Sequence, residues 1–442
     1  MGKRQKAVMM VILIIMTIVS AAVLYDIYRF ISMPEEYLVV EGEEATINLR
    51  LPFSILATSE SEGVIKLNGL NVTTTGTNVT SRHPLLIQTM ETGNTSIEFR
   101  LFGIIPLKRM TVSVIPPIKV IPGGHSIGVK LYTQGVLVVA VADVTAIDGR
   151  SYNPAAQAGI SVGDSIIKIN GTKVRDADHV LDLLTKCNGE EISIEIKRES
   201  ETLTKRIKPV KSQEDGKYRI GAWVRDKTAG VGTLSFYNPE TGRFGALGHA
   251  VTDVDTGLML SVEEGEILES RIASIQKGEK SRPGEIRGIF FEEQNKLGQI
   301  EKNTEFGIYG KLNRPLENIH YPQPVPVALR HQVKEGPAHI LTTVDEKIEM
   351  YSAEIQKVAN QYYPESKSMV VKITDTRLLD ATGGIVQGMS GSPVIQDDRL
   401  AGIITHVFVN DPTRGYAIFA EWMIQSAQTD SRGSTTEVDK TE

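Results

Sequence analysis

Cysteine is almost missing from this sequence, which has 442 residues and a single cysteine, Cys187. An intramolecular disulfide is therefore excluded, as is a zinc site built from several cysteines. The chain also lacks a large excess of either charge, because its formal net charge is −6. No long basic tract is present, so nothing here indicates nucleic-acid binding. Long amphipathic helical patterns are few, whereas the chain has 39 glycines. Together these features favour a mainly β protein of two or three domains.

One long apolar run stands near the start of the chain. Uncharged residues extend from Ala7 to Tyr25, directly after basic residues at positions 3, 4 and 6. A helix rises about 1.5 Å per residue, so this run roughly spans a bilayer core of about 30 Å. Residues 1–30 are therefore predicted to be a cytoplasmic stub and a transmembrane anchor, with the bulk of the chain exported. A cleaved signal peptide is the alternative, because residues 20–22 are small enough to resemble a cleavage site.

The remaining chain divides into four segments by pattern. Residues 37–115 alternate polar and apolar in short runs, which predicts a small β segment without assigned chemistry. Residues 118–211 combine strand-like runs with one helical stretch. Residues 218–424 consist of short apolar runs separated by Gly and Pro, the pattern of a sandwich or barrel. The tail, residues 425–442, is polar and without periodicity, and we expect it to be disordered.

The segment 118–211 carries glycine-rich motifs. GGHSIGV at 123–129 is followed by NPAA at 153–156 and by GDSIIKING at 163–171. These motifs resemble PDZ domains, in which a glycine-containing loop offers backbone N–H groups to a peptide carboxylate and the peptide adds as a strand beside a helix. The helix at 178–184 would form one wall of that groove. On this resemblance the peptide-binding loop consists of Ser126, Ile127, Gly128 and Val129.

A turn near the end of the chain has the residues that a nucleophilic serine needs. The motif GMSGSP at 388–393 places Ser390 on a tight loop with small neighbours, so a substrate carbonyl can reach its Oγ. The N–H groups of Gly388 and Ser390 can then converge on the oxyanion. An ordinary Gly-Ser hairpin turn is the alternative interpretation of the same residues.

A nucleophilic serine also needs a base, and the motif GALGHA at 245–250 supplies His249 among small residues. His406 lies in a strand-like run soon after Ser390, and we expect it to be structural. The base in turn needs a buried carboxylate that fixes its tautomer. Asp375 ends a strongly apolar run shortly before the serine loop and fits this role.

Other aspartates are possible partners of the base. Two of them lie in a short acidic turn after His249, where we expect solvated loop residues. The alternatives to Asp375 are Asp253, Asp255 and Asp380.

The motifs GALGHAVTD, KITDT and QGMSGSP together resemble the stage IV sporulation protein B peptidases of endospore-forming bacteria. The resemblance covers the whole chain, from the anchor through the small β segment and the PDZ domain to the protease. It implies a trypsin-like double β-barrel serine endopeptidase with a triad of His249, Asp375 and Ser390 and an oxyanion hole from Gly388 and Ser390. It implies no metal and no cofactor.

The same resemblance implies a signalling role. Such peptidases are exported across the inner forespore membrane, cleave themselves from their anchor, and cut a membrane protein that restrains an intramembrane metalloprotease, which then matures a late sigma factor. The expected partners are that membrane-protein substrate, the chain's own N-terminal region and the membrane, with no nucleic acid. The expected location is the forespore intermembrane space, first anchored and then released. The alternative is a non-catalytic, membrane-anchored PDZ scaffold that binds peptide C-termini.

Overall fold

A computed structural model describes residues 3–47, 53–81, 84–102, 104–290 and 295–428. The chain divides into two compact units, Met1–Ile118 with Asn360–Pro364 and Lys119–Ala359 with Glu365–Glu442. Strands predominate over helices in the described residues, which confirms the prediction of a mainly β protein.

The first unit begins with helix α1, Lys3–Ile31. Its segment Met9–Tyr28 has a mean hydropathy of 2.4 and is long and apolar enough to cross a membrane, by length and composition. None of this segment is buried in the protein. The predicted anchor is thus one continuous helix, and its apolar side chains are exposed on the surface, as those of a lipid-facing helix are.

Short strands make up the rest of the first unit. In the described residues they are β1 (Glu36–Val40), β2 (Glu44–Ile47), β3 (Phe53–Ser59), β4 (Ile65–Leu67), β5 (Leu70–Asn71), β6 (Thr77–Ser81), β7 (Leu85–Thr89), β8 (Gly93–Leu101) and β9 (Ile105–Ile115). One sheet has the order β1-β9-β8-β3-β6 and the other β2-β7-β4-β5. Alternating apolar side chains of these strands fill one core, which Phe30 of α1 also enters.

The second unit begins with two strands, and a set of short elements and a long strand follow. The first two are β10 (Lys119–Pro122) and β11 (Ser126–Val141). The short elements are β12 (Val144–Thr145), β13 (Ser151–Tyr152), α2 (Pro154–Gln157), β14 (Ser165–Ile169), β15 (Thr172–Lys173), α3 (Ala177–Lys186), β16 (Ile192–Arg198), β17 (Glu201–Ile207), β18 (Val210–Lys211) and β19 (Tyr218–Arg219). The long strand is β20 (Ala222–Tyr237). Val180 and Leu184, on one face of α3, pack with the apolar residues of β14 and β16 into a separate small core.

The first barrel follows β20 in the chain. Its further strands are β21 (Arg243–Ala246), β22 (Val262–Gln276), β23 (Glu285–Phe290), β24 (Lys296–Thr304) and β25 (Gly307–Leu312). Within the described residues, six strands close in the order β11-β22-β24-β25-β21-β20 and back to β11 around an apolar core. β23 pairs with the outer part of β22.

The strands β11 and β20 belong both to this barrel and to the small module between them. They pair from Ser126↔Thr233 to Tyr132↔Lys227 inside the barrel, and after an irregularity from Leu137↔Arg225 to Val141↔Ala222 in the module, where β11 also pairs with β14. The module is therefore inserted between the first two barrel strands. The predicted boundary at residue 118 is wrong, because residues 126–133 are barrel strand.

The second barrel is continuous in sequence. After β26 (Val325–Pro326), its elements are β27 (Gly336–Thr343), β28 (Ile348–Val358), β29 (Met369–Ile373), α4 (Thr376–Thr382), β30 (Pro393–Gln396), β31 (Arg399–Val407) and β32 (Arg414–Phe419). In the described chain, β27-β28-β29-β32-β31-β30 form a closed barrel. Helix α5, Ala420–Gln428, follows, and its residues 420–424 are buried. Residues 425–428 of the predicted disordered tail are thus helical, and residues 429–442 lie outside the described residues.

Candidate active site

The predicted base and nucleophile line the same cleft. His249 follows strand β21 of the first barrel, and Ser390 lies on the loop before β30 of the second barrel. Thr405 and His406 of strand β31 line the cleft as well. The fold therefore brings together two residues that lie far apart in the sequence and belong to different barrels.

A tight turn presents His249 to the cleft. Leu247 and Gly248 before it both have left-handed backbone conformations, with φ of 72° and 73°. Such a conformation is costly for leucine, and backbone strain of this kind clusters at functional sites. A Cβ on Gly248 would lie 3.0 Å from Cγ2 of Thr405, so the turn fits closely against β31.

The ring of His249 is held in the tautomer that a general base needs. Its Nδ1 lies 2.8 Å from the carbonyl oxygen of Ala250. A carbonyl oxygen only accepts hydrogen bonds, so Nδ1 carries the hydrogen and Nε2 of the neutral ring keeps its lone pair. Burial lowers the pKa of His249, against a smaller opposing effect of the Ala250 hydrogen bond. The imidazole is therefore neutral at pH 7 and able to accept a proton.

Strand β20 holds the serine loop at two points. Thr233 donates from its Oγ1 to the carbonyl of Gly388 at 2.8 Å and from its backbone N–H to the carbonyl of Ser390 at 3.0 Å. Gly391 has φ of 103°, and a Cβ there would lie 2.0 Å from the Thr233 carbonyl oxygen, so only glycine fits.

The two amides predicted to bind an oxyanion are oriented by their neighbours. The carbonyl of Gln387 accepts from Ile286, and the carbonyl of Met389 accepts from Ser392. In a trans peptide the N–H points opposite to the C=O, so the N–H groups of Gly388 and Ser390 point away from these donors. Within the described chain, neither amide donates to a backbone or side-chain acceptor.

The Ser390 hydroxyl donates to the Thr405 carbonyl oxygen at 2.8 Å. Among the described residues it makes no hydrogen bond to His249. The hydroxyl must therefore turn from Thr405 toward Nε2 of His249 before a proton can move between them. In this conformation the pair is assembled in one cleft but not yet engaged.

The predicted contact between Asp375 and His249 is absent from the described residues. Asp375 caps helix α4, where its Oδ1 accepts from the Arg377 N–H at 3.0 Å, and its Oδ2 accepts from the Ser352 N–H at 3.2 Å. Arg377 also pairs with the carboxylate, at 3.0 Å from Nη2 to Oδ2. Hydrogen bonding by Arg377 lowers the pKa of Asp375, although burial opposes the shift. Asp is a favoured residue at the position directly before a helix, where its side chain caps the first N–H groups. Capping alone therefore explains why an aspartate occurs at position 375.

In the part of the chain that the structure describes, no hydrogen bond or ion pair joins Asp253, Asp255 or Asp380 to His249. Asp253, predicted to be solvated, is buried, and its Oδ2 pairs with Arg225 of β20 at 2.5 Å, while Asp255 pairs with the same guanidinium at 2.6 Å. Burial raises the pKa of Asp253, but hydrogen bonds from Thr256 and the charge of Arg225 outweigh it and lower the pKa overall. This ion pair fixes the turn four residues after His249 to strand β20.

The predicted peptide-binding loop at 126–129 is wrong. These residues form part of β11, which pairs on one side with β20 at 230–233 and on the other with β22 at 267–269. Both edges of the strand are occupied, so no peptide can add there. Gly128 is required for packing instead, because a Cβ would lie 2.6 Å from Cγ of Phe290.

The groove beside α3 is closed on its other side by residues other than the predicted loop at 126–129. It is lined by Val180, Leu181 and Leu184 of the helix and by residues 220–224 at the start of β20. The carbonyls of Ile220 and Gly221 accept from Ala155 and Ala142 at 2.8 and 2.9 Å. The N–H groups of residues 221 and 222 therefore point away from these partners.

Sequence reasoning missed this loop although its signal is present. Gly221 has φ of 77°, and a Cβ there would lie 2.4 Å from the Ala142 carbonyl oxygen, so the position demands glycine. The motif RIGAWV at 219–224 contains the same Ile-Gly pair as SIGV at 126–129. Trp223 beside it is 68% exposed, which a strand edge open to a ligand would explain.

Comparison with known proteins identifies two parts of the chain. Residues 216–424 match the family model described as SpoIVB peptidase S55, and residues 153–198 match a PDZ domain model. A protein of Lactococcus lactis named as a zinc metalloprotease is 33% identical over 101 residues, 23% of this chain and 22% of its own length. A second, of Clostridium perfringens, is 36% identical over 69 residues, 16% of this chain and 20% of its own length. The chain thus spans about a fifth of the curated relatives it matches.

Solved structures are similar at lower levels. The active form of the Rv3671c protease from M. tuberculosis is 13% identical, with a TM-score of 0.26, over 45% of this chain and 73% of that one. The HtrA-type protease AlgW with a decapeptide is 12% identical, with a TM-score of 0.26, over 46% of this chain and 53% of that one.

Two closed β-barrels, a PDZ module, and a cleft shared by a serine and a neutral histidine form the arrangement of a serine peptidase. The family match makes the assignment specific. The catalytic part of this chain, residues 216–424, belongs to the SpoIVB peptidase S55 family.

Proposed function

We propose that this chain is a membrane-anchored signalling peptidase of sporulation, which cuts itself from its N-terminal helix and then cuts a membrane-protein regulator of an intramembrane metalloprotease. The family match of residues 216–424 supports the sporulation role, and the apolar helix Met9–Tyr28 supports the anchor. The observation that carries the proposal is the shared cleft of His249 and Ser390.

The proposed mechanism uses the groups of that cleft. The hydroxyl of Ser390 leaves the Thr405 carbonyl and donates to Nε2 of His249, which takes the proton as Oγ attacks a peptide carbonyl. The N–H groups of Gly388 and Ser390 stabilise the oxyanion. His249 then protonates the leaving amine and activates the water that releases the acyl group. The Ala250 carbonyl accepts the hydrogen of His249 Nδ1 throughout the reaction. Asp375 acts as the cap of α4.

The membrane arrangement follows from the N-terminal sequence. Basic residues at positions 3, 4 and 6 precede the apolar helix and favour a cytoplasmic N-terminus, with the catalytic part in the forespore intermembrane space. Self-cleavage between the helix and the catalytic part would release that part from the membrane.

The groove at residues 219–224 and α3 suits an extended peptide. A peptide could pair with the outer edge of β20 and direct its carboxylate to the amides of residues 221 and 222. We propose that it receives the chain's own N-terminal region or the substrate. Because β20 continues to Thr233 and the serine loop, this groove and the nucleophile share one strand.

The test compares full-length chains in membranes. We expect the wild type to shorten itself and to be labelled by a fluorophosphonate, whereas S390A stays full length and unlabelled. S392A is the matched control, because Ser392 lies on the same loop but is fully buried, and we expect it to behave as the wild type. N-terminal sequencing of the shortened product locates the cut relative to the helix.

Two outcomes would count against the proposal. An S390A chain that shortens as fast as the wild type would exclude self-cleavage by this serine. Wild-type chains that react with no fluorophosphonate would favour the non-catalytic PDZ scaffold.

A further inference from the structure

The ring of a second histidine lies beside the base in the cleft. The ring centroids of His249 and His406 are 5.1 Å apart, with an angle of 39° between the ring planes. His249 belongs to the first barrel and His406 to strand β31 of the second, so this contact joins the two halves of the site.

A local irregularity of β31 aims His406 into the cleft. The pairing with β32 shifts register between Ile404, which faces Ala417, and His406, which faces Tyr416. Such bulges re-aim a side chain and are frequent next to active sites. The residues before the shift are buried, whereas His406 is exposed to the cleft. At the same place the carbonyl of Thr405 turns toward the Ser390 hydroxyl.

The base needs support that the predicted carboxylate does not give here. The Ala250 carbonyl selects the tautomer of His249, but one hydrogen bond to Nδ1 leaves the ring free to rotate about that contact. Asp375 is occupied by Arg377 and Ser352. A ring packed on the face of His249 would restrict the rotation and keep Nε2 directed at the nucleophile.

The charge state of His406 suits this role. Partial burial in the cleft lowers the pKa of His406, and the neighbouring His249 and Lys367 lower it further. The groups on other elements that lower the pKa of His406 are thus the imidazole of His249 and the ammonium group of Lys367. At pH 7 the ring of His406 is neutral and does not repel the imidazolium that forms on His249 during catalysis.

We propose that His406 is a positioning residue, whose ring packs against the ring of His249 and holds it toward Ser390. The proposal rests on the proposed function and adds a residue that the sequence suggested to be structural.

The test measures the rate at which a fluorophosphonate labels Ser390 in the full-length chain in detergent. We expect H406A and H406Q, which lack a ring, to lower the maximal labelling rate by about 10- to 100-fold without raising the half-saturating probe concentration, because a misplaced base costs rate rather than binding. H406F restores the ring, and we expect a rate within about 5-fold of the wild type. H339A is the matched control, since His339 is exposed on β27 outside the cleft.

The outcomes separate the positioning role from the proposed function. Folded H406A or H406Q that reacts as fast as the wild type would overturn the positioning role, and so would H406F that is as slow as H406Q. If H406A does not fold, the comparison of H406Q with H406F decides whether the ring is needed. A wild type that is not labelled at all would overturn the proposed function itself.

Discussion

The two barrels of the catalytic unit are built from the sequence in different ways. The second barrel, from β27 to β32, is one continuous segment and supplies Ser390. The first barrel supplies His249, and it takes its first strand from residues before the PDZ module and the others from residues after it. His249 therefore stands in the barrel that shares two strands with the PDZ module.

The difference shows how the two halves of the site are connected. Strand β20 starts at the groove edge, binds Asp253 through Arg225, and further along binds the serine loop through Thr233. One strand of the first barrel thus contacts both catalytic loops, whereas the second barrel contacts the base through His406.

The largest effect is expected from replacing His249, the proposed general base, which the first barrel supplies. H249Q keeps a polar side chain near Ala250 but removes the basic nitrogen, and we expect a loss of about 10⁴- to 10⁶-fold in kcat. For the wild type, kcat/KM should rise with pH through a midpoint below 6.5, because burial lowers the pKa of His249 and only the neutral ring accepts a proton.

Peptide hydrolysis measured from pH 4 to 8 checks both expectations. H320Q is the control, because His320 contacts the Ile348 carbonyl and does not line the cleft. A midpoint above 7 would contradict a buried, neutral base.

A smaller effect is expected where β20 meets the serine loop. T233V keeps the shape of the side chain and the backbone N–H, but it removes the hydrogen bond from Oγ1 to the Gly388 carbonyl. A hydrogen bond contributes about 0.5–1.5 kcal/mol, so we expect roughly a 3- to 10-fold slower labelling of Ser390. T233S retains the hydroxyl and should react as the wild type. Equal rates for T233V and T233S would show that the loop does not depend on this bond.

Much of this architecture was predictable because the signals are local. The apolar run of the anchor, the period-two strands, and the small residues around His249 and Ser390 each follow from neighbouring residues alone. Gly391 illustrates the reason, since its positive φ and its approach to Thr233 demand glycine within the motif. The serine peptidase assignment is confirmed for residues 216–424.

The predictions that were wrong concern the peptide-binding loop and the exposure of Asp253. Both depend on strand pairing, which similar local sequences do not reveal. SIGV at 126–129 and RIGAWV at 219–224 both contain an Ile-Gly pair. Only the pairing shows that the first is closed by β20 and β22, whereas the second starts the groove. The burial of Asp253 likewise depends on Arg225 from a distant strand, which a sequence pattern does not reveal.

Asp375 offers the smallest and most diagnostic effect, because an aspartate before an apolar helix is predicted equally well as a cap and as a triad member. D375A removes the acceptor of the Arg377 and Ser352 N–H groups, and we expect a loss of about 1 kcal/mol in the free energy of unfolding, with a smaller loss for D375N. The ion pair with Arg377 adds little, since that guanidinium is 59% exposed. Urea unfolding of full-length chains in detergent measures both values. If D375N is as stable as the wild type yet loses about 10⁴-fold in kcat, the carboxylate reaches His249 during catalysis, and capping is not its whole role.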